Sequence, residues 1–542
     1  MLISALHLSK VIGAKTLFTD LSLHIDSGEK VALIGRNGQG KSTILNILGD
    51  LDHDYQGKIS RRKNLRTVLT KQEHLPSHDL TPLGYIYSSI PNYQSCLSVI
   101  ENYESGTLTD LDQFSEAVEY FSTHGYYHIS DKILATLESF QISNELASSP
   151  LSRLSGGEKR FVELVRMMYS GADLFLIDEP TNHMDYLGKE QFISWLDNNK
   201  NGILIVSHDR DVLAHVDRII ELKDQKIYSY PGNYAKYLKQ NYLATTSSVT
   251  AYQSQLQRLA EAKKRVDWGL QMRAKSKAWK IKYDHWKRDY DKIKAAMVKP
   301  EFWIDQDSVL DLDKKLAGGY HKYKEKNVNI VTSQSTEKLA QLIKIVDLEL
   351  AYSQPVFQGL KLTIGTGEKV FLKGRNGAGK SSLVKTILSL YGDVEPQAKI
   401  NSGEITIGKK TRIGQYEQEI SPQYFHLSLE QAVSQVYQDR GVSVTETTVK
   451  RLLSQYLFVP EVDGQQKIAN LSGGQKARFQ LIKMFANSPN LLILDEPTNH
   501  LDLPSIEELE NALISYQGGI LYTSHDSHFI NKMAGEQIEL KT

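Results

Sequence analysis

The chain has 542 residues, 40% hydrophobic and 24% charged, with 64 Lys or Arg balanced by 64 Asp or Glu. That length allows two or three domains with real cores, and so ordinary a composition excludes the fibrous and disordered classes. One cysteine, Cys96, excludes an intramolecular disulfide and a cysteine-rich metal site.

The start, MLISALHLSK, lacks a basic region followed by a long apolar core, and no run reaches the roughly 18 apolar residues of a membrane span. A cytoplasmic protein without a fused span is expected. Alternation in Leu2 to Leu8 and the run Leu21 to Ile25 predict strands, and Lys30 to Ile34 predicts a buried strand leading into GRNGQGKST at 35–43. This is a phosphate-loop pattern. Gly35, Gly38 and Gly40 let backbone amides, Asn37's included, curl round phosphates, Lys41 neutralises the outer ones, and Ser42, next to Thr43, ligates magnesium. Ile44 to Leu48 continues as the helix whose amino end faces those phosphates.

A helical region follows between Gln72 and Ser155, then LSGGEK at 154–159, LFLIDEPTNHMD at 174–185 and SHD at 207–209. An apolar strand, Leu174 to Ile177, ending in two carboxylates is specific chemistry. Asp178 is placed to hold magnesium, and Glu179 to polarise the water that attacks a terminal phosphate. Gln72 can touch the metal and that water, and His208 the terminal phosphate.

Residues 251–300 hold fourteen Lys or Arg against five Asp or Glu, on a chain that is neutral as a whole. Apolar residues recur at Tyr252, Leu256, Leu259, Val266 and Leu270, then at Trp279, Tyr283, Trp286, Tyr290, Ile293 and Met297, in steps that suit a helix. The phase breaks between Gly269 and Ser276, and glycine is a poor helix former. The pattern predicts a hairpin of two antiparallel helices, each roughly 25 residues and on the order of 40 Å long. On residues alone this is either a solvated spacer or a polyanion-binding arm. Trp268, Trp279 and Trp286 interleaved with Lys and Arg favour the arm, since aromatic and guanidinium faces stack on bases, although some of these indoles must zip the helices together. Residues 300–337 read as a return connection, in which Tyr320 to Lys326 is a second basic, aromatic contact or surface filler.

The motifs then repeat. GRNGAGKSS at 374–382 follows the strand Lys369 to Leu372, giving Gly374, Asn376, Gly377, Gly379, Lys380, Ser381 and Ser382 the roles of the first loop. LSGGQK, LLILDEPTNHLD and SHD each return 317 residues on, so Asp495, Glu496 and His525 match Asp178, Glu179 and His208, and Gln418 takes the slot of Gln72 in the ordered series. The two loop lysines are 339 apart. From loop lysine to signature serine the first copy therefore carries 22 extra residues, expected in the helical region after Gln72 and enough for a longer loop or one more helix.

This ordered set resembles the nucleotide-binding domain of ATP-binding cassette (ABC) proteins over nearly the whole of both copies. The expected architecture is α/β: two P-loop cassettes in tandem, 1–240 and 338–542, joined at 241–337 by a basic helical hairpin. In that family each site is shared. The resemblance therefore implies that Lys41, Gln72, Asp178, Glu179 and His208 work with Ser472, Gly473, Gly474 and Gln475. Equally, Lys380, Gln418, Asp495, Glu496 and His525 work with Ser155, Gly156, Gly157 and Glu158. It further implies ATP and Mg2+ as cofactors, magnesium being met by Ser42, Gln72 and Asp178 and by Ser381, Gln418 and Asp495, with hydrolysis at both sites. The family usually stacks an aromatic ring on adenine. Tyr352 fits that position in the second copy, whereas the first offers Ile12 and only an apolar contact.

Two cassettes, no span and a basic hairpin look like the F subfamily, soluble ATPases of the ribosome. RAKSKAW at 273–279 resembles its tRNA-interacting stretch, which marks Arg273, Lys275 and Lys277, with Lys280 and Lys282 beyond, as RNA contacts. The resemblance implies a monomer whose own cassettes pair, acting at the exit site of the 70S ribosome on P-site tRNA and 23S rRNA, with no membrane or DNA partner. With neither a large insertion in the first cassette nor a carboxy-terminal extension expected, the chain resembles proteins that protect ribosomes from phenicols and oxazolidinones, some of which also affect tetracyclines. A short tip implies indirect action, by moving tRNA and nearby rRNA. The rivals are a housekeeping factor for stalled ribosomes and a transporter's ATPase subunit, which normally lacks a basic hairpin. A DNA-repair cassette protein would carry zinc cysteines or a very long coiled coil.

Overall fold

A computed structural model describes residues 1–13, 15–70, 80–182, 184–296, 341–352, 355–392, 398–417, 420–471, 473–486, 488–499 and 501–540. The chain divides into two compact units, Met1–Asn233 with Ile330–Thr542, and Tyr234–Asn329. The larger unit holds both cassettes.

In the first cassette the strands are β1 (Ile3–Ile12), β2 (Lys15–Ile25), β3 (Lys30–Gly35), β4 (Gln56–Arg61), β5 (Thr67–Leu69), β6 (Leu174–Asp178), β7 (Gly202–Val206), β8 (Arg218–Lys223) and β9 (Lys226–Pro231). They form an antiparallel sheet, β2-β1-β4, and a six-stranded sheet, β5-β6-β7-β3-β8-β9. The second cassette has β10 (Ile343–Ala351), β11 (Pro355–Ile364), β12 (Lys369–Lys373), β13 (Lys399–Ile407), β14 (Ile413–Tyr416), β15 (Leu491–Asp495), β16 (Gly519–Thr523) and β17 (Glu536–Glu539). Here the sheets are β11-β10-β13 and β14-β15-β16-β12-β17.

Runs such as Phe175–Ile177 and Ile203–Val206 are apolar throughout because their parallel strands are covered on both faces. The helix Lys41–Leu48 buries Ile44, Leu45, Ile47 and Leu48 between the two sheets of its cassette, against Phe18, Leu174 and Leu204. In the second cassette, Leu383, Ile387 and Leu388 pack against Phe357, Leu491 and Leu521 in the same way.

Pairing of β6 with β7 and of β7 with β3, all parallel, lays three strand ends side by side. The phosphate loop, the Asp178–Glu179 pair and the SHD segment leave those ends, which is where ligands bind in parallel α/β sheets. The same adjacency, β15-β16-β12, gathers the second set.

The extra length of the first cassette forms more structure than one helix. Four helices, Pro82–Tyr87, Tyr93–Glu104, Leu111–Thr123 and Ile129–Ser139, stand where the second cassette has two, Leu429–Asp439 and Glu446–Gln455. Stacking of Tyr103 on Phe114, with ring centres 4.1 Å apart, closes Tyr93–Glu104 on Leu111–Thr123.

The arm is a helical hairpin, Tyr234–Met272 and Lys277–Ala296, with bounds that differ from those read from periodicity. The first helix has 39 residues, about 58 Å at 1.5 Å each, and starts well ahead of Tyr252. The segment ATTSSVT at 244–250 has no apolar stripe, so periodicity is silent there, yet a formed helix adds a hydrogen bond per residue through such a stretch. Gly269 lies within that helix and is not part of the tip. A Cβ at Gly269 would stand 3.0 Å from Cε3 and 3.3 Å from Cζ3 of Trp286, so the glycine admits an indole. The seam therefore passes through Gly269, and Leu270, expected on it, is 45% exposed. The return connection, Tyr320 to Lys326 and Met297 lie outside the described residues.

Candidate functional site

Each phosphate loop joins a buried strand to a helix through glycines that a side chain would obstruct. Gly40 and Gly379 have φ of 102° and 89°. A Cβ at Gly379 would meet Cγ1 of Val356 at 2.4 Å, and one at Gly40 would meet Cδ1 of Leu17 at 3.2 Å. Neither of the following helices has a side-chain cap, so their first amides are free to meet an anion.

Lys41 Nζ donates to the carbonyls of Gly35 and Arg36 at 2.7 and 3.1 Å, and Lys380 Nζ to those of Gly374 and Arg375 at 2.6 and 3.2 Å. Burial lowers the pKa of both ammonium groups, and neighbouring carboxylates oppose that shift only in part. A buried cation at an uncapped helix end suits a phosphate. Asn37, Gly38, Gly40, Lys41, Ser42 and Thr43 line a cavity of about 640 Å³. Ile12 and Leu17 form its apolar side. In the second cassette Tyr352 is half exposed, and its hydroxyl lies 3.1 Å from Oγ of Ser382.

A second group of oxygens sits at the ends of β6 and β15. Ser381 Oγ donates to Asp495 Oδ2 at 2.8 Å, and Thr523 Oγ1 donates to Oδ1 of the same carboxylate at 2.7 Å. Burial raises the Asp178 carboxyl above its ordinary range, and a hydrogen bond with Ser42 draws it partly back. A hydroxyl beside a carboxylate suits magnesium, which is held by one or two carboxylates together with phosphate oxygens and water. Gln72 and Gln418 follow β5 and β14, the neighbours of these strands, but lie outside the described residues.

The following carboxylates are held in a conformation that side chains rarely adopt. Glu179 and Glu496 have φ of 46° and 51°, and such left-handed residues persist where the surroundings over-determine them. Glu179 N donates to Val206 O at 2.9 Å, and Glu496 N to Thr523 Oγ1 at 3.0 Å. Burial, then the Asp495 charge, pushes the Glu496 carboxyl up to about 8, and burial likewise raises Glu179.

His525 N donates to Glu496 Oε2 at 3.1 Å, and the ring Nε2 stands 3.2 Å from Oε1. His208 Nε2 is 3.6 Å from Glu179 Oε1. Burial and the charge of Lys380 hold His525 down to about 3, and burial with Lys41 lowers His208 in the same way. Both imidazoles are therefore neutral near pH 7. Their approach to the carboxyls is a polar contact and not an ion pair.

The two cassettes meet at these sites reciprocally. Asn37 N donates to Asp502 Oδ2 at 3.3 Å, and Arg375 Nε lies 3.6 Å from Asp185 Oδ2. Each aspartate also caps the helix after it, Asp185 through Gly188 N at 2.9 Å and Asp502 through Ser505 N at 3.1 Å. Thr498, Asn499, Leu501 and His525 of the second cassette help to line the first cavity. Asp185, Asp502 and Arg160, which also lines the cavity, are additions to the residues singled out from sequence. The signal for the aspartates was present, since each ends a repeated DEPTNHxD.

In the first signature, Ser155 and Glu158 form a capping box. Glu158 N donates to Ser155 Oγ at 3.3 Å, and Ser155 N to Glu158 Oε2 at 2.7 Å. In the second, Ser472 lies outside the described residues, and Gln475 Nε2 donates to Asp463 Oδ1 at 3.1 Å. That signature helix, Gly473–Phe485, carries Arg478, which feels the charge of Arg36 in the first phosphate loop. Burial and, as a smaller cause, the Arg36 charge lower the Arg478 guanidinium.

In the arm, Trp268 meets Trp279 edge-on at 4.9 Å and stacks on Trp286 at 5.9 Å. All three indoles therefore join the seam. The Arg273 guanidinium lies 5.5 Å from the Tyr283 ring and the Lys282 ammonium 4.9 Å from the Trp279 ring, both in cation–π range. Lys275, Lys277 and Lys280 are exposed.

The profile of the ABC transporter family matches residues 18–182 and 357–499. ATP-binding protein Uup of Haemophilus influenzae is 31% identical over 96% of this chain and 76% of its own. Probable ATP-binding protein YbiT of Escherichia coli O157:H7 is 30% identical over 100% and 96%, and putative ATP-binding protein YdiF of Bacillus subtilis 29% over 100% and 80%. Among solved structures, RNase-L inhibitor gives a TM-score of 0.52 at 16% identity over 98% of this chain and 87% of that one. The archaeal ribosome recycling factor aABCE1, solved in complex with the ribosomal stalk protein aP1, gives 0.53 at 15% over the same shares. At such identity the likeness is one of fold. No helix among the described residues is long and apolar enough to cross a membrane.

Proposed function

From a chain that belongs to the ABC transporter family, with the tandem cassettes of its ABC-F members, we propose an ATPase that clamps on the 70S ribosome. We place it at the exit site, where its arm moves P-site tRNA and nearby 23S rRNA and so displaces antibiotics from the peptidyl transferase centre. The observation that carries the reading is the reciprocal pairing of Asn37 with Asp502 and of Arg375 with Asp185. Each phosphate loop answers to the opposite cassette, so ATP held there favours the closed pair over the open one, and a ligand shifts an equilibrium by that difference.

For hydrolysis, Lys41 and Lys380 meet the outer phosphates and the uncapped helix amides the inner ones. Ser42 with Asp178, and Ser381 with Asp495, would hold Mg2+, helped by Gln72 and Gln418. The metal would supply charge neutralisation to the phosphates. Glu179 and Glu496 accept a proton from the attacking water. Burial raises the Glu496 pKa, which makes its carboxylate a stronger base than an exposed one. His208 and His525, neutral and set against those carboxyls, orient the terminal phosphate without adding charge.

The basic, exposed face of the arm supports an RNA partner. Its tip is only the four residues between Met272 and Lys277, which favours displacement through the tRNA over direct contact with a drug. Sedimentation of Glu179→Gln/Glu496→Gln with ribosomes and ATP tests the clamp, since binding survives when water is no longer activated. The double variant should co-sediment, and its remaining in the ribosome-free fraction would defeat the reading. Expression in a susceptible bacterium should raise tolerance to phenicols and oxazolidinones. Unchanged tolerance with retained ribosome binding assigns a housekeeping role.

A further inference from the structure

Lys189 lies on the helix Tyr186–Asn198 of the first cassette and is 6% exposed. An ammonium has three donors, and three acceptors surround this one. It pairs with Asp209 Oδ2 at 2.9 Å and Asp211 Oδ2 at 3.0 Å, and it donates to the backbone carbonyl of His525, in the other cassette, at 2.7 Å. Burial works against its charge, but Asp209 and Asp211 more than offset that and raise its pKa.

Both ends of this bridge are histidine loops. Asp209 follows His208, while His525 touches Glu496 through its backbone amide and its ring. The bridge is one-sided. The residue matching Lys189 in the second copy, 317 positions on, is Ile506, which has no donor to offer His208. A second charged contact runs the same way. Arg210 Nη1 donates to Glu510 Oε1 at 2.9 Å and also contacts Nδ1 of His528, whereas the matching positions hold Ser527 and Ile193. Segment 525–528 is thus gripped at both ends by cations of the first cassette.

We propose that Lys189 is a positioning residue for hydrolysis: by bracing the His525 carbonyl from the opposite cassette it couples the two histidine loops and makes turnover at the Lys380–Glu496 site depend on the first cassette. This rests on the hydrolytic reading above. Coupling of binding free energies is reciprocal, but coupling of turnover need not be. The site that receives the brace therefore has the more to lose.

The test measures phosphate release by the full chain in two backgrounds, Glu179→Gln, which leaves the second site active, and Glu496→Gln, which leaves the first. Adding Lys189→Met should lower the ratio of second-site to first-site kcat about tenfold, the scale of one charge-assisted hydrogen bond. KM for ATP should change little, and Lys189→Arg should restore most of the ratio. An equal fall in both backgrounds means a structural role and overturns the proposal, as does no fall in either. Should Lys189→Met fail to fold, Lys189→Met/Asp211→Asn lessens the charge imbalance and is read identically. A wild-type chain that releases no phosphate overturns both readings, whereas normal release with an unaltered ratio overturns the brace alone.

Discussion

Trp286 lies against the backbone of Gly269, where any Cβ would stand 3.0 Å from its ring. Two opposing effects meet there. Alanine in an exposed helix gains about 1 kcal/mol over glycine, yet at this point it must push an indole that also stacks on Trp268. Gly269→Ala should therefore bring no gain in stability, and Gly269→Leu should open the tryptophan cluster. Red-shifted tryptophan emission and faster proteolytic cutting within 234–296 are the readouts. An unchanged Leu variant would mean that the helices do not pack through this point.

Neutralising Arg273, Lys275 and Lys277 to Gln should weaken ribosome binding and reduce its dependence on salt. If each meets one phosphate, the slope of log affinity against log salt should fall by about two to three. Phosphate release without ribosomes should be unchanged. Loss of basal release would show that the tip supports the fold of the cassettes.

Stability should fall as pH rises from about 4.5 to 8, in the part that Glu496 controls. Its folded-state pKa of about 8 lies above the ordinary 4.5, so between those values the folded chain keeps a proton that the unfolded chain has lost. Glu496→Gln removes that cost. Its thermal midpoint should equal that of the wild type near pH 4.5 and exceed it increasingly up to pH 8, by a few degrees in nucleotide-free protein. A constant gap across that range would place the carboxyl at an ordinary pKa.

Glu510 is fully buried and held to about 2, where burial opposes its charge but His528, Arg210 and Lys532 more than offset it. Arg210→Leu leaves this carboxylate short of a partner and should cost about 3 kcal/mol, seen as a lower midpoint in urea. A depressed carboxyl contributes stability above its unfolded pKa and loses it as pH falls toward the folded value. The variant should accordingly lose less stability than wild type between pH 4.5 and 2. Equal acid sensitivity would exclude Arg210 as the partner that matters.

Much of the chemistry is local and could be read along the chain. A phosphate loop needs glycines, a lysine and a hydroxyl at fixed spacing after a strand, and an Asp–Glu pair needs an apolar strand before it. Both patterns recur in order, so the doubling of the α/β fold was readable. The arm was readable as helical and basic, but its length was not, because ATTSSVT carries no stripe and the low helix propensity of Gly269 points to a break where the helix continues.

Contacts between distant segments form the other part. That Gly269 receives an indole depends on which turn of Lys277–Ala296 lies opposite, and propensity carries no such information. Asn37 and Asp502 lie 465 residues apart, and Lys189 and His525 336. No spacing rule relates them. Sequence specifies a turn or a strand end through the bonds of neighbouring residues, whereas which cation meets which carbonyl across two packed cassettes follows from the shape of the surfaces that bring them together.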